Sequence, residues 1–165
     1  MTQDQQTAVF QEWVNNHQGL LFKVVRAYAF TAADRDDLFQ EISVQVWRSV
    51  PAFRNESAVT TWLYRIALNT AIKWTKQERK HQEAHQPIDG VSFVLKDLSE
   101  GEDERLSWLY EEIARLNEID RPLCLLMLDG FSYKEMSAIA GISESNVGVR
   151  INRIKKHLIS RTTKT

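Results

Sequence analysis

Gly141 lies between two short amphipathic segments, and that junction limits what the chain can fold into more than any other feature. In residues 131–158, FSYKEMSAIAGISESNVGVRINRIKKHL, Ser132 stands three residues before Glu135, the spacing of a helix capping box. Met136, Ile139 and Ala140 follow at i, i+3 and i+4, one apolar face of a short helix. Gly141 ends it, because a residue without Cβ enters the left-handed cap conformation cheaply. Ile142 can plug the corner, and Ser143 caps a second helix whose apolar stripe is Val147, Ile151, Ile154 and Leu158. The other faces of that helix carry Ser145, Asn146, Arg150, Asn152, Arg153, Lys155 and Lys156. A short helix, a glycine turn and a basic second helix form the unit that lays its second helix in a DNA major groove. The alternative is a helical hairpin with a solvated basic face. Gly148 is compatible with both: an interior glycine costs about 1 kcal/mol relative to Ala, and it either admits a phosphate or only weakens the helix.

Charge distribution supports a polyanionic partner although the total does not. The net charge of the 165 residues is −1, but residues 51–82 carry +4, residues 83–112 carry −7 and residues 113–165 carry +4. Binding to DNA needs a local patch, not a basic average. The single cysteine, Cys124, lies in an apolar run, which excludes an internal disulfide and a multi-cysteine zinc site. His17 has no second ligand at metal-binding spacing, and His81 and His85 have no third, so no metal and no cofactor are expected. Residues 1–9 are polar with no secretory signal, and no run approaches membrane-span length, so a soluble cytoplasmic protein is expected.

Upstream, the pattern is helical throughout. Residues 4–30 read as helix with a break near Gly19, and residues 34–50 as a helix burying Leu38, Ile42 and Val46. Asp36, Asp37, Gln40, Glu41 and Trp47 fall on its other faces, an acidic surface suited to a basic partner. Periodicity leaves Trp47 either exposed as an interface anchor or packed in the core. Pro51 opens a loop, Ser57 caps its far end, and a helix over residues 58–80 buries Leu63, Ile66, Ala67, Thr70 and Trp74. Arg65, Asn69, Lys73, Lys76 and Lys80 form a stripe on the opposite side. Trp62 stands near the loop residues Phe53, Arg54 and Asn55; rings beside amides and cations suit unpaired bases, though a core Trp and a solvated cationic face fit the same spacing. Residues 81–104 read as an acidic, flexible linker. A second helical domain, residues 105–165, opens near Asp103 with Leu106, Leu109, Tyr110, Ile113 and Leu116 in helical register through Asn117. Asp120 is the expected cap of the next helix, with Pro122 in its first turn and Gly130 at its end. The fold class is therefore all-α: two small helical domains on a linker, the second containing the helix-turn-helix.

With these residues in this order, the chain resembles an extracytoplasmic-function (ECF) sigma factor of bacterial RNA polymerase, over about residues 13–80 and 104–160. The first match is Asp37-Leu38-Phe39-Gln40-Glu41 followed by Trp47, similar to the family's helix that docks on the core polymerase. The second is Phe53-Arg54-Asn55-Glu56-Ser57 with residues 61–69, similar to the loop and helix that read and melt the minus-ten element. The third, residues 130–153, is similar to the domain that reads the minus-thirty-five element. The resemblance implies no covalent chemistry. It assigns core polymerase binding to Asp36, Asp37, Gln40, Glu41 and Trp47. The minus-ten set adds Trp62, Arg65, Asn69, Lys73 and Lys76 to residues 53–57, and the upstream set is Ser143, Ser145, Asn146, Arg150, Arg153 and Lys156. It implies an anti-sigma factor as a further partner and an acidic linker mimicking nucleic acid in the polymerase channel. Positions often Thr, Lys and Ser in the family's recognition helix are Asn146, Gly148 and Val149 here, which bears on the preferred upstream sequence. The competing readings are a duplex-binding helix-turn-helix regulator that acts without polymerase and a sigma-like decoy that binds an anti-sigma factor.

Overall fold

The structure, a computed structural model, describes residues 1–84 and 103–162, with side-chain environments for residues 1–78 and 103–162. The chain divides into two compact units, Met1–Glu102 and Asp103–Thr165. Most of the acidic linker expected over residues 81–104 falls outside the described residues.

In the first unit, α1 (Gln3–Asn16), α2 (Gln18–Tyr28), α3 (Ala32–Ser49) and α4 (Val59–Ala84) surround one core. Leu21, Val24, Val25 and Tyr28 of α2 meet Leu38, Ile42 and Val46 of α3 and Leu63, Tyr64, Ala67, Leu68 and Ala71 of α4, all buried. The break expected near Gly19 falls at His17, two residues before it: His17 adopts φ −129° and ψ 32°, its N–H closes α1 on the Trp13 carbonyl, and Gly19 continues inside α2. Glycine permits a break without requiring one. Thr31 caps α3, which begins two residues before the expected start, its hydroxyl accepting the Asp34 N–H at 3.1 Å. Beyond a 3₁₀ turn at Val50–Ala52 and a short loop, α4 opens one residue past the expected start. The Trp62 N–H reaches the Ala58 carbonyl, and the Ser57 hydroxyl donates to that same carbonyl. At its other end α4 continues to Ala84, four residues beyond the expected end at Lys80.

The second unit comprises α5 (Glu104–Arg115), α6 (Asp120–Leu128), α7 (Tyr133–Ala140) and α8 (Glu144–Thr162). Asp103 caps α5 through the Arg105 N–H. The helix stops at Arg115, short of Asn117, and Leu106 near its start is exposed. Asp120 is not the cap of α6. Asn117 does that work, its Oδ1 accepting the N–H groups of Ile119 and Asp120 at 3.0 and 2.8 Å while Asp120 stands inside the first turn. Asn is as effective as Asp in this role, which leaves the Asp120 carboxylate for other partners.

The turn at Gly141 follows the sequence closely. Ser132 and Glu135 form the reciprocal capping box, Gly141 sits at φ +73° and ψ 29°, and the Ser143 hydroxyl accepts the Asn146 N–H at 3.1 Å. Ile142 is half-buried at the corner, its carbonyl accepting from the Ser137 hydroxyl. The Ser132 N–H, and after it the Ser132 hydroxyl, hold the Glu135 carboxyl below its ordinary value of 4.5. The capping contribution is thus present above that value and lost as pH falls through the lowered one. Leu123, Leu126, Met136, Val147, Ile151 and Ile154 close the core.

Two outcomes follow. Gly141→Ala places a Cβ in left-handed backbone and is expected to lower stability by about 1–2 kcal/mol, read from urea unfolding of the full chain. Burial, and then Asp120, push the Cys124 thiol up to about 11. Native protein at pH 8 should therefore leave an aromatic disulfide reagent unreacted until denaturant is added.

Candidate nucleic-acid interface

The first unit presents a cationic helix face beside a polar loop. Arg65, Asn69, Lys73 and Lys76 are all exposed along α4, on the side opposite buried Leu63, Ala67 and Trp74. An open groove of about 480 Å³ runs along the α3–α4 seam, lined by Glu41, Arg48, Asn69, Lys73, Trp74 and Gln77 among others. It brings Glu41, from the acidic set of α3, alongside Asn69 and Lys73 of the basic stripe. Asp36, Asp37, Gln40 and Glu41 are exposed. Asp37 is also engaged within the fold, since its Oδ2 accepts the indole N–H of buried Trp74 at 2.9 Å and so ties α3 to α4.

The loop before α4 is pinned by aromatic rings. Phe53 is half-buried, with its ring edge-on to Trp13 at 5.1 Å and tilted against Trp62 at 5.4 Å. The Trp62 indole N–H donates to Ser49 Oγ at 3.1 Å, so Trp62 is partly committed to the fold and half-buried. Arg54, Asn55, Glu56 and Ser57 project outward, and Asn55 adopts φ +58°, a left-handed conformation that Asn tolerates better than most residues. Phe53 thus serves as the anchor of the loop and the residues after it as its exposed rim. Trp47 is half-buried against α1, not an exposed anchor: its indole N–H points to Thr7 Oγ1 at 3.3 Å, and its carbonyl accepts from Gln6 Nε2 at 2.7 Å.

In the second unit, α8 buries Val147, Ile151 and Ile154 and leaves Ser145, Val149, Asn152, Arg153 and Lys156 exposed on the opposite side. Ser143 is occupied as the helix cap and Asn146 is half-buried. Gly148 lies beside the Tyr133 ring: a Cβ there would stand 3.4 Å from Cε2 of Tyr133, an ordinary van der Waals contact, so the ring covers this flank of α8 without requiring a glycine. Arg150 turns inward, with Nη1 on Asp120 Oδ1 at 3.0 Å and about one-fifth of either side chain exposed. The other Asp120 oxygen accepts Asn117 Nδ2 at 3.0 Å, so cap, carboxylate and guanidinium form one chain from the α6 start to the middle of α8.

A second internal carboxylate escaped the sequence reading. Glu112 is 2% exposed, and its Oε1 accepts from Arg115 Nη1 and Arg161 Nε, each at 3.2 Å. His157 Nε2 stands 3.7 Å from the other oxygen. A buried carboxylate is tolerable only with such partners, and this one ties α5 to the last turns of α8. The signal was present: Glu112 lies three residues after Leu109 and four before Leu116, within the apolar register of α5. Among the described residues, no group of three His, Cys, Asp or Glu could hold a metal ion.

Arg150 and Arg153 are therefore separable by measurement. Arg150→Ala leaves Asp120 without its cation and should destabilise the DNA-free protein by about 1–3 kcal/mol, read by thermal or urea unfolding. Arg153→Ala, at an exposed position, should change stability by no more than about 0.5 kcal/mol. Equal, negligible losses would contradict the internal role of Arg150.

Comparison with known proteins bears on these surfaces. The profile of Sigma-70 region 2 matches residues 13–81, and that of Sigma-70, region 4, matches residues 106–158. The ECF RNA polymerase sigma-E factor of Haemophilus influenzae is 31% identical over 160 residues, spanning 89% of this chain and 84% of that protein. The ECF RNA polymerase sigma-E factor of Escherichia coli K12 is 29% identical over 162 residues, with 89% and 83% covered. Among solved structures, CnrH in complex with the cytosolic domain of CnrY superposes at TM-score 0.68 with 21% identity, covering 96% of this chain and 90% of that one. RpoE in complex with the anti-sigma factor NepR from Bartonella quintana gives 0.64 and 20%, covering 90% and 93%. With a region 2 match on the unit that carries the α4 stripe, a region 4 match on the helix-turn-helix, and sigma-E relatives spanning both, the chain belongs to the ECF sigma factor family.

Proposed function

We infer that this protein is a promoter-specificity subunit: it binds core RNA polymerase, recognises the minus-thirty-five and minus-ten elements, and opens the DNA to start transcription. The observation that carries the reading is the co-occurrence, in one chain and in family order, of a region 2 unit with an exposed basic helix and a region 4 unit with an exposed recognition helix. Asp36, Gln40 and Glu41 of α3 form the polymerase contact, with Asp37 and half-buried Trp47 setting the shape of that face. Residues 54–57, the exposed part of Trp62, and Arg65, Asn69, Lys73 and Lys76 take the melted minus-ten strand. Ring stacking there contributes about 1–3 kcal/mol per base and the cations follow the backbone. Ser145, Arg153 and Lys156, with half-buried Asn146, meet the upstream duplex, while Ser143 and Arg150 hold the helix that presents them.

The protein performs no covalent step; the polymerase does. It works in the cytoplasm, where the polymerase is, and among the described residues no helix is long and apolar enough to cross a membrane. An anti-sigma factor is a further partner, a reading supported by the RpoE structure with NepR.

Run-off transcription with purified bacterial core polymerase on fragments of the source genome tests this directly. Specific transcripts should appear only when the protein is added. Absence of core binding in gel filtration, with binding to duplex DNA by the protein alone, would replace the reading with that of a free-standing regulator. On a promoter so obtained, Lys73→Ala should weaken holoenzyme binding across sequences and reduce the slope of log affinity against log salt by about 1.

A further inference from the structure

The helix α8 is engaged on three sides. Val147, Ile151 and Ile154 are buried, the Gly148 flank lies against the Tyr133 ring, and Arg150 on the other flank is paired with Asp120. Opposite the buried stripe, Ser145, Val149, Asn152, Arg153 and Lys156 form an exposed strip. At 100° per residue Val149 stands almost opposite the buried stripe, and Ser145 and Arg153 lie one turn to either side of it.

Val149 differs in kind from its neighbours on that strip. It is 55% exposed, a β-branched aliphatic amid a hydroxyl, an amide and two cations. Between Glu144 and Asn152 it is the sole exposed apolar side chain, since Val147 and Ile151 are buried. It also stands in the second turn of α8, the part of a recognition helix that reaches base edges. A major groove offers one apolar feature to such a side chain, the C5 methyl of thymine; every other base edge presents hydrogen-bond donors or acceptors, which an aliphatic group would desolvate without compensation.

We propose that Val149 is a specificity-determining residue that selects a thymine in the upstream promoter element by packing against its methyl group. Ser145 and Arg153, one turn away on either side, hold the flanking base edges or phosphates and so fix the distance of Val149 from the groove floor. This deepens the promoter-binding reading above and rests on it.

The test needs no protein variant in its first arm. On a promoter identified by run-off transcription, each thymine of the upstream element, on either strand, is replaced by 2′-deoxyuridine, which pairs identically and lacks only the methyl. Holoenzyme affinity should fall about fourfold at one position, the size of one buried methyl contact. In the second arm, Val149→Ala should show a similar loss on the unmodified promoter and no further loss from deoxyuridine at that position. Insensitivity to every substitution, an upstream element without thymine, or a loss that persists undiminished in the Val149→Ala holoenzyme would overturn the proposal alone. A holoenzyme that binds no promoter fragment would overturn the sigma reading and this proposal with it.

Discussion

A helix that buries one stripe must leave the opposite stripe to something else, and both units of this protein are arranged around that constraint. In α4, Leu63, Ala67 and Trp74 face the core, so Arg65, Asn69 and Lys76 face away. In α8, Val147, Ile151 and Ile154 are buried, so Ser145, Val149 and Arg153 face away. The hydrophobic term that folds each unit is also what aims its polar face, because fully burying one such side chain contributes about 1.5–3 kcal/mol and no surface charge competes with that. Folding and presentation of the polar face are one event in each unit.

Carboxylates then fix the remaining freedom. Asp37 accepts the Trp74 indole between α3 and α4, Asp120 accepts Arg150 between α6 and α8, and Glu112 gathers Arg115 and Arg161 between α5 and α8. Each joins helices whose apolar packing alone would still allow small slides. Hydrogen bonds to charged groups contribute about 1.5–3 kcal/mol where they are shielded, less where solvent reaches them. Two of the three act on α8, which must be held at a fixed distance from a groove if it is to distinguish bases. Charged residues of this unit thus divide into those left exposed and those that position the helix.

That division explains what could be read from the sequence. Caps and turns are local, so Ser132, Glu135, Gly141 and Ser143 declared themselves through residue type and spacing. Apolar stripes are periodic, so the buried faces of α3, α4 and α8 were legible as well. Partners across the fold were not. Periodicity assigned Arg150 to a solvent face because it reports the direction of the core and not the carboxylate waiting on another helix. Trp47 was ambiguous for the same reason: only the approach of α1, with Thr7 and Gln6, makes it half-buried. Asp120 and Asn117 are both good caps, and residue type alone does not choose between them. Glu112 was visible as an acid in apolar register, but its meaning depended on Arg161, forty-nine positions downstream.

On the proposed function, these two faces act together, through the polymerase, to open DNA. Permanganate reactivity measures this directly, because it marks thymines that have lost their stacking. On an isolated promoter, reactive thymines around the minus-ten element should appear only when core polymerase and this protein are both present. Reactivity unchanged by the protein, or a duplex footprint from the protein alone with no melting on addition of polymerase, would contradict the account.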